Sequence, residues 1–188
     1  MLKEIFDKQF SVMRETQEIE SFRGSFIDFR LHPLKSRGKQ VLIREYSQRI
    51  VEEIHEAAHD FPRKDKWKEE LIDVLNFSTG LMIICKINAD ELERDMPKGH
   101  YNPINDLNKC STILFQLEAF LMDAVGDLKA KPWRSNPPEP NEKLLKEKLR
   151  LFYNYLWVII HGEMSKPEIA LIHRVKHERI KERLNGTY

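Results

Sequence analysis

Nearly every apolar pattern in this sequence repeats with the period of an α-helix, and no two β-rich runs are joined by a hairpin turn. This periodicity predicts an all-α fold, a helical bundle with a core of four or more helices. The chain has 188 residues, the size of one ordinary domain. We therefore expect a single domain over residues 1–188, with a proline-rich connector at 131–141 that cannot be helical.

Interruptions in the pattern place the individual helices. A capping box at Asn88 predicts the start of a short helix, and a second one at Ser165 predicts the start of the last helix. That helix should end near Asn185-Gly186, a usual C-terminal stop. The segment 22–39 is predicted to be a loop that packs its aromatic residues. The other helices are predicted over residues 1–20, 40–60, 66–85, 106–129 and 142–161.

The composition excludes several classes of protein. The 31 Lys and Arg nearly cancel the 30 Asp and Glu, so nothing global favours a nucleic-acid partner. The cysteines, Cys85 and Cys110, are too few for a disulfide scaffold and are expected to be core thiols in a reducing compartment. Neither a membrane span nor an export signal is visible, so we expect a cytoplasmic protein, in the host cytoplasm if it is phage-encoded.

Acidic residues stand on the apolar faces of two successive predicted helices. Glu53 lies in the middle of the inward stripe of the second helix, with Glu56 at its edge, and Glu70 and Asp73 share the apolar face of the third. Four carboxylates are thus predicted to point at the interior, which requires compensating cations. Mg²⁺ is the natural candidate because it prefers oxygen ligands and substrate phosphates. The alternative is a solvated acidic helix face.

These residues resemble the metal signature of the all-α NTP pyrophosphohydrolases, the superfamily of MazG proteins, dimeric dUTPases and phage dCTP/dUTP pyrophosphatases. Glu53-x-x-Glu56 precedes EELIDVLNF, residues 69–77, which is similar to the third-helix motif of the dUTPase and dCTPase branch. That branch usually has His at the position of Asn76. The closing segment, residues 164–188, also resembles that branch. His177 and Ile180 stand where the family generally has Asn, which bears on sugar or base recognition.

The resemblance implies a Mg²⁺-dependent enzyme, with Mn²⁺ as a substitute ion, that converts dUTP or dCTP to the monophosphate and pyrophosphate. It assigns Glu53 to orienting or deprotonating the attacking water, and Glu53, Glu56, Glu70 and Asp73 to the metal. Lys176 and Arg183 would hold phosphate oxygens, and Tyr188 would close over the nucleotide. The resemblance also implies a homodimer. The alternative within the superfamily is a MazG-like enzyme acting on purine or modified nucleotides.

Further residues are weaker candidates for substrate contacts. Gln9, polar on an apolar stripe, is either a reader of a base edge or a satisfied core glutamine. Trp67 either walls a base pocket or belongs to the core. Lys66, with Lys64 and Lys68, either grips phosphate or is solvated. The histidines show no zinc-like pattern and are predicted to be surface or peripheral groups: His55, His59, His173 and His177.

The competing class is a non-enzymatic helical module that binds nucleic acid or a protein through its basic last helix. That hypothesis explains the cations of the helix, among them Arg174 and Arg179, but gives the inward acids no purpose.

Overall fold

A computed structural model of the chain describes residues 1–19, 31–99, 101–126, 128, 140–184 and 186, with the side chains of 17–19 excepted. Within these residues the regular secondary structure is helical, which confirms the predicted all-α bundle. In chain order the helices are α1 Leu2–Ile19, α2 Arg37–Asp60, α3 Lys64–Ile84, α4 Ala89–Asp95, α5 Leu107–Gly126, α6 Glu142–Glu163 and α7 Lys166–Leu184.

Helix α3 is the centre of the bundle. It is apolar nearly all round, and most of its residues are buried, from Trp67 to Ile84. Helix α2 packs most extensively on α3, and α1, α6 and α7 also contact α3. A turn at 61–63 reverses the chain between α2 and α3. The two acidic motifs therefore lie side by side on antiparallel neighbours, as their short separation predicts.

The helix boundaries follow local chemistry. Asn88 accepts a hydrogen bond from the Glu91 backbone N–H, and the Glu91 carboxylate accepts one from the Asn88 backbone N–H, which confirms the first capping box. At the start of α7 the Glu168 carboxylate accepts hydrogen bonds from both the backbone N–H and the hydroxyl of Ser165. Helix α2 begins at Arg37, three residues earlier than predicted, because Gly38 does not interrupt it. Of the predicted loop 22–39, residues 22–30 lie outside the described residues, 32–36 form turns and bends, and 37–39 are helical in α2, so the prediction is wrong for those last three. Of the connector 131–141, only 140 and 141 are described, and neither is helical.

The core is continuous from α1 to α7. Cys85 and Cys110 are buried free thiols, as predicted. No helix in the described part of the chain combines the length and apolarity that a membrane span needs.

Candidate metal centre

Three of the predicted acids meet between α2 and α3. Glu53, Glu70 and Asp73 each bring a carboxylate oxygen within 4.8 Å of the other two. Glu53 comes from the face of α2 that packs on α3, and Glu70 and Asp73 are one turn apart on α3. All three are partly buried. Three oxygen donors at this spacing form the kind of ligand set that a hard divalent cation takes.

Glu56 is the exception to the prediction that four acids point inward. Its side chain is exposed and lies outside the cluster of three. Its position at the edge of the α2 stripe thus leaves the carboxylate in solvent. Its negative charge still reaches the cluster, because it contributes to raising the pKa of Glu53 and Glu70.

The environment of the cluster disfavours ionised carboxylates. Burial raises the pKa of Glu53 to about 7, and the negative charges of Asp73, Glu56 and Glu70 add to the effect. Burial also raises the pKa of Glu70 and of Asp73. A bound cation would remove this penalty, since it would stabilise each ionised carboxylate.

Lys176 is the cation that the protein itself provides at this site. Its ammonium group donates a hydrogen bond to Asp73 Oδ2, with side chains that are 12% and 27% exposed. The positive charge opposes the increase in pKa at all three acids. Lys176 belongs to α7, so this contact joins the basic last helix to the acidic face of α3.

A cleft of about 900 Å³ opens from the acids between α1, α2, α3 and α7. Its middle is apolar, and the rings of Tyr46 and Phe77 meet there edge to face with centroids 6.2 Å apart. The Oδ1 atom of Asn76 is buried without a hydrogen-bond partner among the described residues, whereas the amide N–H of the same side chain faces Asp73 and lowers the pKa of that acid by hydrogen bonding. The lining residues are Gln9, Val12, Met13, Thr16, Arg37, Gly38, Val41, Leu42, Glu45, Tyr46, Arg49, Glu53, Asp73, Asn76, Phe77, Ile180 and Arg183.

Asn76 is an independent sign that this cleft takes a ligand. Its side chain is only 5% exposed, and leaving a buried amide oxygen without a partner costs about 1 to 3 kcal/mol. A polar ligand in the cleft can supply the missing hydrogen bond. A set of three carboxylate oxygens and an unpaired amide oxygen one turn from Asp73 therefore fit a metal ion together with a polar substrate.

Some of the other predicted substrate residues line the cleft and others do not. Gln9 and Arg183 line the cleft. Trp67 has no exposed surface and packs edge to face on Phe61, which places it in the core rather than at the cleft. Lys66 is exposed on the first turn of α3. Tyr188 lies outside the described residues.

The neighbouring charges have structural partners. Lys64 donates a hydrogen bond to the carbonyl oxygen of Ile104 at 2.6 Å, and Lys68 pairs with Glu168 at 3.0 Å. Glu52 pairs with Arg49 on its own helix, and Glu69 lies 4.0 Å from Arg179. Glu52 and Glu69 thus lie outside the cluster of three.

The prediction that His173 and His177 are surface or peripheral groups is wrong. They are 1% and 4% exposed and stack on each other with ring centroids 4.4 Å apart. Positions four residues apart share the face of α7 that packs on α1. His55 and His59 are exposed, as predicted.

Two contributors to the cleft were not singled out from the sequence as functional. Arg49 precedes Glu53 by one helical turn, and Asn76 follows Asp73 by three residues. Helical spacing from the acids could have identified both. Comparisons of the chain with protein-family models, curated proteins and solved structures found no match.

Proposed function

We propose that the protein is a Mg²⁺-dependent nucleoside triphosphate pyrophosphohydrolase that converts a deoxynucleotide, dUTP or dCTP, to the monophosphate and pyrophosphate. The observation that carries this proposal is the convergence of Glu53, Glu70 and Asp73. Two of them, Glu53 and Asp73, line a cleft that also holds the unpaired amide oxygen of Asn76. The reaction class comes from the motif resemblance. The acid cluster beside a cleft supports this choice, because the reaction needs a metal site next to a substrate site.

We assign the metal, the phosphates and the base of the substrate to different residues along the cleft. Glu53, Glu70 and Asp73 would hold the metal, with Glu56 adding negative charge from the rim. A bound Mg²⁺ would neutralise charge on the triphosphate. Arg183 would contact phosphate oxygens, since its guanidinium suits bidentate binding. The apolar middle of the cleft would enclose the base, with the paired rings of Tyr46 and Phe77 forming one wall and Gln9 at a polar edge.

Glu53 has the properties of the general base. In the metal-free protein burial raises its pKa to about 7, and a cation held by Glu70 and Asp73 would lower that value, so that the carboxylate would be ionised and able to accept a proton near neutral pH. It would accept a proton from water as the water oxygen bonds to the α-phosphorus. The bond from that phosphorus to the oxygen bridging to the β-phosphate would break, which releases pyrophosphate.

The alternative of a nucleic-acid or protein module fits the structure less well. Three of the cations of α7 that the hypothesis needs form internal ion pairs, Lys176 with Asp73, Arg179 with Glu69, and Lys181 with Glu15. A helix whose charges serve intramolecular contacts offers less to a polyanion.

A panel of canonical and modified NTPs and dNTPs, incubated with Mg²⁺ and scored for pyrophosphate, tests the proposal. We expect pyrophosphate and monophosphate in equal amounts, with dUTP or dCTP fastest. Release of inorganic phosphate instead, or no turnover of any nucleotide, would contradict it. Homodimerisation stays a prediction, which light scattering in solution tests.

A further inference from the structure

Among the residues that the structure describes, Lys176 is the residue of the last helix that hydrogen-bonds the acid cluster. Lys68 with Glu168 and Glu69 with Arg179 form ion pairs along the α3–α7 contact, and Lys176 with Asp73 forms the innermost one. Only the last of these pairs uses a residue of the cluster. Lys176 is also the most buried cation of the three, at 12% exposure.

This lysine occupies the position of a counter-ion. Three carboxylates within 4.8 Å of one another repel strongly in a partly buried site. One ammonium group supplies a single positive charge against them, and its hydrogen bond engages an oxygen of Asp73. A divalent cation would bring more charge to the same oxygens and would repel the ammonium group.

The ammonium group of Lys176 can move from Asp73 toward the cleft. Ile180 and Arg183 follow it by four and seven residues on α7 and line the cleft, so Lys176 shares the face that looks toward the cleft. A flexible four-carbon stem lets a lysine ammonium move without moving its helix. An anionic substrate beside the metal would attract that ammonium.

We infer that Lys176 is the resident counter-ion of the acid cluster, that a divalent cation displaces it from Asp73, and that the released ammonium completes the anion site. This inference rests on the proposed function and adds a coupling to it. Metal binding and phosphate binding then assist each other through one side chain. Without metal, the lysine is held by Asp73 and is withdrawn from the substrate.

Mn²⁺ binding to the intact chain, measured by electron paramagnetic resonance, tests the displacement. Lys176→Met removes the competitor, so the variant should bind Mn²⁺ about tenfold more tightly than the wild type, within the usual range of coupling. Lys68→Met is the matched control, because it removes another α3–α7 ion pair but leaves the cluster intact, and it should bind Mn²⁺ as the wild type does. Equal or weaker Mn²⁺ binding by Lys176→Met overturns the inference.

The second half of the coupling is measured with α,β-imido-dUTP, which resists cleavage at the bond in question. Mg²⁺ should tighten its binding to the wild type more than to Lys176→Met. Equal tightening in both proteins overturns the coupling. Lys176→Arg, which keeps the charge, guards against a folding defect in the methionine variant and should bind Mn²⁺ less tightly than that variant.

The results separate this inference from the proposed function. Tighter Mn²⁺ binding by Lys176→Met without hydrolysis of any nucleotide supports the counter-ion and rejects the enzyme. Hydrolysis with unchanged Mn²⁺ affinity keeps the enzyme and rejects the counter-ion. If the wild type binds no Mn²⁺, both the counter-ion and the metal site are rejected.

Discussion

At the scale of single residues, the raised pKa of Glu53 makes the folded, metal-free protein less stable at neutral and higher pH. The same buried position places its carboxylate in the proposed metal site. In the folded protein its pKa is about 7, against 4.5 for an ordinary glutamate. Between these pH values the folded state keeps a proton that the unfolded state has lost. The stability of the metal-free protein should therefore fall as pH rises through this window.

Glu53→Gln should remove that cost and abolish turnover. At pH 8 we expect the metal-free variant to be more stable than the wild type by about 1 to 2 kcal/mol, a figure reduced for solvent screening of a partly buried group. At pH 5 the two proteins should differ little, because Glu53 is then protonated. Thermal unfolding at both pH values and pyrophosphate release measure the two effects.

Glu52→Gln is the control for this prediction, since Glu52 is adjacent in sequence but pairs with Arg49 outside the cluster. It should change neither turnover nor the pH dependence. A melting temperature that falls at pH 8 for each of Glu53→Gln, Glu70→Gln and Asp73→Asn would indicate a structural cluster. Retention of more than about a tenth of the wild-type rate by all three would reject the metal site.

Ile180 sets a limit on selectivity. It lines the cleft with an aliphatic side chain, which cannot hydrogen-bond a sugar hydroxyl or a base edge. Such a contact discriminates by only about 1 to 3 kcal/mol, whereas a hydrogen-bonding site rejects wrong substrates far more strongly. We expect a modest preference for dUTP or dCTP over purine nucleotides, and Ile180→Asn should sharpen it in kcat/KM. A preference of more than about a hundredfold for dGTP or dATP would move the protein to the MazG-like alternative.

At the scale of helices, the approach of α2 to α3 depends on Gly80. A Cβ atom there would lie 2.4 Å from Tyr46 Cε1 and 3.3 Å from Met13 Sδ. Both of these side chains line the cleft. Gly80→Ala should therefore displace the Tyr46 ring, cost about 1 to 3 kcal/mol in the free energy of unfolding, and raise KM.

Gly126→Ala is the matched control for Gly80→Ala, because it is also helical but a Cβ atom there meets nothing within 4 Å. We expect no loss of stability from it. Chemical denaturation of the two variants compares them directly. Equal stabilities of the two variants would mean that the Tyr46 ring moves aside at no cost, and that the close approach of Tyr46 to Gly80 does not contribute to stability.

The packing of α7 on α1 should be sensitive to acid. Burial lowers the pKa of His173 to about 3, and the neighbouring positive charges of His177 and Lys8 contribute. Burial and the charges of Lys8 and Lys181 lower the pKa of His177 to about 4. The negative charge of Glu4 at His173, and that of Glu15 at His177, only partly compensate.

An unfolded chain binds protons at these histidines below about pH 6.5, whereas the folded chain does not. Stability from the pair is thus complete above pH 6.5 and is lost as pH falls toward 4, by at most about 1.4 kcal/mol per pH unit for each histidine. The double variant His173→Leu/His177→Leu should lose less melting temperature than the wild type between pH 7.5 and 5. His55→Gln, at an exposed site, should behave as the wild type, and parallel pH profiles for all three proteins would contradict the assignment.

The helix boundaries could be predicted from the sequence more closely than the burial of side chains between the helices. Apolar periodicity and the capping box at Asn88 gave the helices to within a few residues, because both are local signals. The same periodicity could not place Glu56, which sits at a stripe edge where small rotations of α2 decide burial. Nor could it identify His173 and His177 as core residues, because their burial depends on α1, which lies far away in sequence.

At the scale of the whole molecule, the candidate site joins segments that are distant in sequence. Lys176 contacts Asp73 across 103 positions, and the cleft adds α1 to α2, α3 and α7. From the sequence, the acids of α2 and α3 could be brought together because a short turn connects them. The position of α7 over them depends on the packing of the entire bundle, so only the motif resemblance suggested its role.

Magnesium should stabilise the whole chain if the cluster is a metal site. A ligand that binds only the folded state adds RT ln(1 + [L]/Kd), which is about 2.7 kcal/mol at a hundredfold excess over Kd. For a domain of this size each kcal/mol corresponds to roughly 2 to 4 °C, so saturating Mg²⁺ should raise Tm by about 5 to 10 °C. The variants Glu53→Gln, Glu70→Gln and Asp73→Asn should each lose most of that increase, although Glu53→Gln begins from a higher Tm at pH 8.

Ionic strength must be held constant in this titration, because α7 is fastened to its neighbours by ion pairs that salt weakens. NaCl at the same ionic strength should leave Tm unchanged or lower it, since it screens those pairs without filling the cluster. A helical module that binds through basic α7 would show no specific response to Mg²⁺. An equal response of the wild type and all three acid variants would place the ion elsewhere, and the carboxylates of α2 and α3 would then need another explanation for their burial.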